Sequence, residues 1–515
     1  MKHHERPLYG LLAIVSMLGA IAAPAAVFDP PVRVTNDPGY SDTEVDGGRN
    51  AWSSRDSLLV VWSDDRHGNA EILYRERTGG AWSAVERLTT DPGASRHPAV
   101  GCTESGEVRV VWEDDRSGRR EIYATRRLPG SAWSPDTCLT CDAHESARPA
   151  LDQPAGNLVW EETSDGNREI YHALWETDGS WGARTRVSVS EGVSAYASVA
   201  SPGSWTGAGD AVLVAWEDDR DGNREIYARI FDGMNWMAET RLTHDSGDSR
   251  HPSAWMKWNT CTDAIFLRTG VAWEDDRAST RDIFMIVGDS GWWGSPSPLV
   301  TTPSVSRHPT VATVYTWVPY IFGYTWCPHM VVAWEEDDRP NGESTVLYLD
   351  PGTPDLPVEV SPGGAGAFSS VPTLASWHKW SQPDPARGME CVWTDTRDGN
   401  REVYAAGFSE PVATGVESAS LPPGDAALGL ARPSPFSAST RVEVSIRAPA
   451  KIELRVHNAA GQRVRTLASG VFAAGNHPFV WDGRDDSGRP SAAGSYFLRL
   501  LRDGATETRK VVRIP

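Results

Sequence analysis

The chain has 515 residues, 40% of them hydrophobic, which is enough for a large repeat domain and a small second domain with separate cores. Its formal net charge of −20 argues against nucleic acid as a partner, because the phosphate backbone repels an acidic surface. Beyond the N-terminal segment there is no run of about twenty apolar residues, so the sequence predicts no transmembrane helix.

Residues 1–25 have the organisation of a signal peptide. A charged start is followed by an apolar segment and then by small residues, and we expect cleavage after Ala25. The sequence therefore predicts that the mature protein is exported and is either secreted or held at the cell surface.

Six cysteines, an even number, fit an exported protein with some disulfides. The CLTC segment at 138–141 has zinc-knuckle spacing, but no second cysteine pair or histidine pair lies nearby in the sequence. A structural disulfide or buried free thiols are the favoured interpretations, and no metal site is predicted. The six are Cys102, Cys138, Cys141, Cys261, Cys327 and Cys391.

A segment of the type VAWEDDRDGNREIYARI, residues 214–230, occurs seven times. Each copy reads as strand, tight turn and strand, and is flanked by an RLT-type segment and usually by a Trp-containing turn. Seven units of four short antiparallel strands predict an all-β fold, a seven-bladed β-propeller over residues 26–409. The repeated tryptophans, spaced 48 to 61 residues apart, are Trp62, Trp112, Trp160, Trp216, Trp273, Trp334 and Trp393.

The acidic cluster of the repeat is interpreted as scaffold, because an active site requires one constellation of residues and not seven. With Gly222-Asn223 as a two-residue turn, Arg220 lies opposite Glu225 and braces the hairpin. An exposed pair of this kind contributes at most about 1 kcal/mol. Calcium at the DDRDGN segment stays open as a weak alternative, and no other cofactor is predicted.

The last repeat lacks a fourth strand of its own. The N-terminal FDPPVRVTND segment supplies an equivalent strand, so residues 28–36 are predicted to complete the blade formed by residues 360–408. This arrangement joins the first blade to the last.

The pairing of RLTTDPGASRHPAV with WEDDRDGNREIYARIFDG resembles the TolB-type propeller repeat over roughly residues 30–408. The resemblance implies a propeller. TolB has six blades and a WSPDG turn that this sequence lacks, so TolB's partners are not carried over. Sialidases also use propellers, but their Asp-box is absent from this chain.

After a linker at 410–430, residues 431–515 carry fourteen Lys and Arg against seven Asp and Glu, and their alternating pattern predicts a small β-sandwich. The segments WDGRDDSGR and AAGSYFLRL resemble the FlgD-like immunoglobulin domain and the C-terminal sorting domains of type IX secretion. The resemblance implies contact with secretion or surface-attachment machinery. An accessory domain without a sorting role is the alternative.

A ligand site is predicted on the propeller face that carries the SRHP segments, because these positions differ between blades. A basic patch there suits a carboxylated glycan or an acidic peptide. The alternative is that each Arg-His-Pro only shapes a loop and pairs with a nearby Asp. The predicted ligand-binding residues are Arg96, His97, Arg148, Arg250, His251, Arg307 and His308.

Two classes of function follow. The first is an exported, non-catalytic propeller that binds a glycan or peptide; the second is an exported glycan-active enzyme, sialidase-like or another glycosidase or lyase, with its site on non-repeated loops. No catalytic residue is predicted, because no nucleophile has an adjacent base. Long aromatic loops near Trp258, Trp317 and Trp380 are a further candidate for sugar stacking or partner docking, and packing of loop on loop explains them equally well.

Overall fold

The structure is a computed structural model in which the chain separates into two compact units, Met1–Val412 and Ala413–Pro515. The predicted signal peptide lies outside the described residues. The structure describes residues 28–36, 41–42, 51–54, 57–103, 105–152, 156–164, 166–176, 180–203, 211–259, 266–277, 280–320, 323–337, 343–351, 357–361, 368–379, 386–411, 426–428, 436, 439–446, 449–458, 463–473, 475–492, 494–502 and 505–513.

The first unit is a seven-bladed β-propeller, whose described strands form seven antiparallel sheets. The first blade contains Ser41–Asp42, Ala51–Ser53, Ser57–Asp64, Glu71–Thr78, Ala81–Trp82 and Glu86–Arg87. The second contains Ser95–Cys102, Val108–Asp114, Glu121–Arg127 and Thr137–Cys138. The third contains Glu145–Leu151, Asn157–Ser164, Asn167–Leu174 and Thr185–Arg186. The fourth contains Ser194–Ala200, Val212–Asp218, Glu225–Phe231 and Thr240–Arg241.

The later blades have longer inner strands. The fifth contains Ser249–Asn259, Phe266–Asp275, Asp282–Asp289, Trp292–Trp293 and Ser297–Pro298. The sixth contains Val305–Tyr320, Gly323–Asp337, Thr345–Leu349 and Val358–Glu359. The seventh contains Ser369–Lys379, Ala386–Asp395, Glu402–Pro411 and the N-terminal Val32–Arg33.

The N-terminal strand closes the ring. Val32 and Arg33 pair with Ala405 and Tyr404 of the seventh blade, and the Val34 amide donates to the Val403 carbonyl at 2.7 Å. The outer edge of that blade is therefore covered by the start of the chain, which leaves fewer unpaired backbone groups for edge-to-edge association.

The second strand of each blade is buried on both faces because it packs between neighbouring blades. Val212–Asp218 is buried at every position, which explains why VLVAWED begins with five consecutive apolar residues and not with an alternation. The repeated tryptophans are all at most 3% exposed and fill the spaces between blades. They are therefore core residues.

The repeated aspartate organises the turn end of the hairpin. Asp218 is fully buried and accepts hydrogen bonds from Ser194 Oγ at 2.7 Å, Trp216 Nε1 at 3.2 Å, and Arg220 Nε and Nη2 at 2.8 and 2.7 Å. The Arg220 guanidinium also lies 4.3 Å from the centre of the Tyr227 ring. Burial raises the pKa of Asp218, but these hydrogen bonds outweigh it and hold that pKa below its usual value.

The predicted pairing of Arg220 with Glu225 is wrong. Asp218, not Arg220, lies opposite Glu225, because the turn extends over six residues between the two strands. Arg220 pairs with Asp218 and with Glu239 at 2.7 Å. Glu225 pairs instead with Arg241 of the outer strand at 2.8 Å. The charged residues still brace the blade, but with other partners.

The aromatic segments predicted as loops in the fifth to seventh blades are largely strands. Ser249–Asn259 pairs with Phe266–Asp275 over its length, and Val305–Tyr320 pairs with Gly323–Asp337. Aromatic and β-branched residues favour extended backbone, so these inner hairpins continue past the length of the other blades. Trp380 lies outside the described residues, and of Trp317 only the backbone is described.

The second unit contains two antiparallel sheets around an apolar core that includes the fully buried Trp481. Strands occupy both ends of segment 410–430, since Glu402–Pro411 belongs to the seventh blade and the strand at 426–428 belongs to this unit. One sheet contains Ala426–Leu428, Thr440–Ile446 and Gly475–Trp481. The other contains Arg463–Phe472, Ala450–Asn458, Gly494–Arg502 and Ala505–Arg513.

Cys138 and Cys141 form a disulfide with 5.8 Å between their Cα atoms. Cys102 and Cys391 are free and buried. Across the described residues we find no helix with the length and apolar character to cross a membrane.

Candidate functional site

The inner strands carry a β-bulge at the face where the repeated hairpins turn. In the second blade, His97 and Pro98 together oppose Trp112, between the pairs Arg96↔Glu113 and Ala99↔Val111. Proline has no N–H to donate to the ladder, which favours a bulge at this place. The first bulge residue takes a left-handed conformation, with φ of 48–53°, in six blades: His97, Arg148, Tyr196, His251, His308 and Val371.

Left-handed backbone is uncommon for residues other than glycine, and it concentrates at binding and catalytic sites. The six residues belong to six different blades, and their chemical types differ. The equivalent residue of the first blade, Thr43, lies outside the described residues. The bulge positions are therefore the place where the symmetric scaffold carries an asymmetric set of side chains.

Buried glutamates link the bulges of successive blades. Glu274 of the fifth blade accepts a hydrogen bond from Nδ1 of His251, the bulge residue of its own blade, at 2.9 Å. It also accepts one from the backbone N–H of His308, the bulge residue of the next blade, at 2.7 Å. Glu113 does the same with His97 Nδ1 at 3.2 Å and the Arg148 N–H at 3.0 Å. The carboxylates thus satisfy the bulge amides and fix the bulge side chains. Glu161 and Glu217 accept the amides of Tyr196 and His251 in the same way, and Glu335 lies 3.0 Å from the Nδ1 of its own bulge residue, His308.

The bulge side chains contact one another along one side of the ring. The Arg148 guanidinium lies 4.6 Å from the Tyr196 ring centre, the Tyr196 ring meets His251 edge-on at 4.7 Å, and the His251 and His308 rings are 5.3 Å apart. His97 joins them through Glu113. We call these five residues, His97, Arg148, Tyr196, His251 and His308, the bulge arc.

The protonation of the glutamates differs from blade to blade. Burial raises the pKa of Glu113 and of Glu274, but in each case a hydrogen bond from the imidazole of the same blade outweighs it and lowers the pKa to about 2. Burial raises the pKa of Glu217 to about 7, since its own blade offers Tyr196 and no imidazole. Burial also raises the pKa of Glu161. The buried glutamates therefore differ in how strongly they hold a proton.

Of the predicted site residues, His97, Arg148, His251 and His308 are brought together in the bulge arc. Arg96 is exposed and forms no ion pair within the part of the chain that the structure describes. Two further predicted residues are held by acidic neighbours. Arg250 pairs with Asp248, and Arg307 lies 3.6 Å from Asp337 and 3.8 Å from Glu335. Arg148 also lies 3.5 Å from Glu161. For these three arginines, the pairing with an acidic neighbour that the alternative interpretation expects is present.

Sequence reasoning missed the glutamates because they lie inside the repeated WED motif, which was interpreted as scaffold as a whole. Side chains alternate along a strand, so Trp112 and Asp114 share one face while Glu113 points to the other. In the first and last blades Ser63 and Thr394 stand at the glutamate position. That variation between blades, at one register of an otherwise uniform motif, was the available signal.

Comparisons with known proteins add the following. Residues 434–502 match the family model of the FlgD Ig-like domain. No curated protein matches the sequence. Among solved structures, an ulvan lyase of a polysaccharide lyase family aligns with a TM-score of 0.47 and 10% identity, over 73% of this chain and 95% of that chain.

Two further solved structures align more weakly. The polysaccharide lyase Uly1 has a TM-score of 0.42 and 9% identity, over 74% of this chain and 99% of its own. PorZ, a bacterial surface component of the type IX secretion system of Porphyromonas gingivalis, has a TM-score of 0.34 and 10% identity, over 92% of this chain and 60% of its own.

Proposed function

We propose that this protein is an exported propeller that binds a carboxylated glycan at the bulge arc. The observation that carries the proposal is the run of His97, Arg148, Tyr196, His251 and His308 on left-handed bulges of five adjacent blades. Arginine binds carboxylates bidentately, and imidazoles add donors and, when protonated, positive charge. A preformed backbone reduces the ordering cost of binding.

A carboxylated glycan and an acidic peptide both carry the carboxylates that the arc can bind, and we take the glycan as the ligand to be tested first. Arg96, exposed at the neighbouring position, adds positive charge beside the arc.

Export agrees with the Cys138–Cys141 disulfide, because disulfides persist in oxidising compartments. We infer that the FlgD Ig-like domain directs secretion or surface attachment. In this proposal, the resemblance of the repeat to the TolB type supports the propeller scaffold and is not used to choose the ligand. Removing residues 413–515 and following the protein in its native host tests the targeting role, and unchanged surface delivery would contradict it.

The binding test uses two polyuronates, alginate and pectate, with a neutral glucan and polyglutamate as comparisons, each titrated calorimetrically. We expect binding of a polyuronate and none of the neutral glucan. Replacing Arg96 and Arg148 together by Gln should weaken polyuronate binding by at least about tenfold. Arg268→Gln is the matched control, since Arg268 lies near the start of the strand Phe266–Asp275, whose other end is at the bulge face.

Equal affinity in the Arg96/Arg148 double variant would contradict this site, and binding of polyglutamate alone would contradict the ligand class. Following polysaccharide chain length in the same samples tests the second class of function. Shortening of the chains that is lost in the double variant would make the protein a glycan-active enzyme. Unchanged chain length with retained binding supports the non-catalytic function.

A further inference from the structure

The fifth and sixth blades together bring three metal-ligating side chains to one point. His251, Glu274 and His308 each offer one ligand atom, and these atoms all lie within 4.8 Å of one another. Elsewhere among the residues that the structure describes, no other group of three His, Cys, Asp or Glu comes as close. The three residues come from the two bulges and from the end of a second strand, so the long-range fold and not a local motif assembles them.

The ligand types select the metal. Two imidazoles and one carboxylate suit Zn²⁺ and neighbouring transition metals, whereas Ca²⁺ and Mg²⁺ prefer oxygen ligands alone. We propose that His251, Glu274 and His308 bind a divalent transition-metal ion, Zn²⁺ in the first instance. The metal site shares His251 and His308 with the bulge arc, but its test requires only the metal and these three side chains and no glycan.

The positions of the three groups are restrained before any metal arrives. Both histidines are held by left-handed bulges, with φ of 49° for His251 and 48° for His308. Glu274 is 1% exposed, and its Oε1 accepts both His251 Nδ1 and the His308 amide. A metal replaces the first of these hydrogen bonds. Metal–ligand bonds of about 2.1 Å require shifts on the order of 1 Å.

Two charged neighbours, Glu335 and Arg281, hold the proposed ligands in place. His308 Nδ1 lies 3.0 Å from Glu335 Oε2, the carboxylate–histidine contact that fixes the ring and leaves Nε2 for a metal. Arg281 Nη1 donates a hydrogen bond to the second oxygen, Glu274 Oε2, at 3.3 Å. Its positive charge also lowers the affinity for a cation. Three protein ligands leave a position open to water or to a bound molecule, as in non-structural zinc sites.

The second blade provides an internal control. His97 occupies the same bulge position, and its Nδ1 faces Glu113 as His251 faces Glu274. The next bulge residue there is Arg148 and not a second histidine. That blade therefore has the histidine–glutamate pair without the third ligand and should bind no metal.

The test uses untagged mature protein freed of metal with a chelator and titrated with ZnCl₂ by calorimetry, with Co²⁺ absorption as a second readout. We expect one bound ion per chain in the wild type and in His97→Gln. In His251→Gln and His308→Gln we expect a loss of affinity of at least about 100-fold. Co²⁺ bound to the wild type should give the absorption of a low-coordinate site, and the spectrum should be absent from both variants.

Urea unfolding of each variant shows whether it is folded. Glu274→Gln is used in addition, since it retains the side-chain volume and an acceptor for the His308 amide while it removes the charged ligand. If one histidine variant does not fold, the Zn²⁺ affinity of the wild type is compared with that of the other histidine variant and of Glu274→Gln. The absence of a bound ion in the wild type, or equal Zn²⁺ affinity in folded His251→Gln or His308→Gln, would overturn the proposal.

Discussion

The partner of Arg220 can be measured by double-mutant cycles. The structure pairs Arg220 with Asp218 through two side-chain hydrogen bonds, at 2.8 and 2.7 Å, and pairs Glu225 with Arg241 at 2.8 Å. The variants are Arg220→Met, Asp218→Asn, Glu225→Gln and Arg241→Met, alone and in pairs. The arginine substitutions retain much of the side-chain stem, so the cycles report mainly the charged contact.

The expected loss of unfolding free energy follows from the burial of the two acidic partners. Asp218 and Glu225 are both fully buried, and removing one partner of a buried ion pair costs about 3–5 kcal/mol. Arg220 is partly exposed, and Ser194 and Trp216 still donate to Asp218 after its removal, so we expect about 3 kcal/mol for Arg220→Met. The coupling energy between Arg220 and Asp218 should be about 2 kcal/mol, and that between Arg220 and Glu225 less than about 0.5 kcal/mol.

Urea unfolding monitored by circular dichroism and tryptophan fluorescence gives the free energies, provided that the two probes agree and the slope with urea is unchanged. The Arg241–Glu225 cycle is the positive control for the glutamate and should give a coupling of about 1–2 kcal/mol. A coupling above about 1 kcal/mol between Arg220 and Glu225, with none between Arg220 and Asp218, would refute the reasoning from the structure.

Two further predictions concern the same scaffold. Deleting residues 28–36 removes the strand that pairs with Ala405 and Tyr404, so the melting temperature should fall by at least about 5 °C, whereas an unchanged cooperative transition in calorimetry would contradict ring closure. Hydrogen bonds in the folded state hold the pKa of Asp64, Asp114, Asp218, Asp275 and Asp395 below the unfolded value despite burial. The stability that they add is complete above the unfolded pKa of about 4 and is lost as pH falls through the folded values. Unfolding free energies measured from about pH 5 to 3 should therefore decrease, and by less in Asp218→Asn; equal decreases would contradict the assignment.

The sequence by itself determined the propeller and its number of blades. Three local signals recur from unit to unit: the tryptophan period, the strand–turn–strand pattern and the flanking segments. A unit whose own pattern is weak is therefore recognised from its spacing to the others. The same repetition showed that the residues of the SRHP-type segments differ between blades, although only the structure shows that they form bulges. The C-terminal sandwich followed from the change of composition after the propeller.

The tertiary structure alone decided which charged groups meet. Arg220 was assigned to Glu225 by counting along a two-residue turn, but the turn is longer and both residues have partners elsewhere, Asp218 on the same strand end and Arg241 on the outer strand. The contacts of the candidate functional site are likewise set by the tertiary structure. Glu274 contacts histidines that lie 23 residues before it and 34 residues after it. Sequence fixes which side chains are present at a repeat position, but the distance between two blades depends on how the whole ring closes, because that packing is set by non-local contacts.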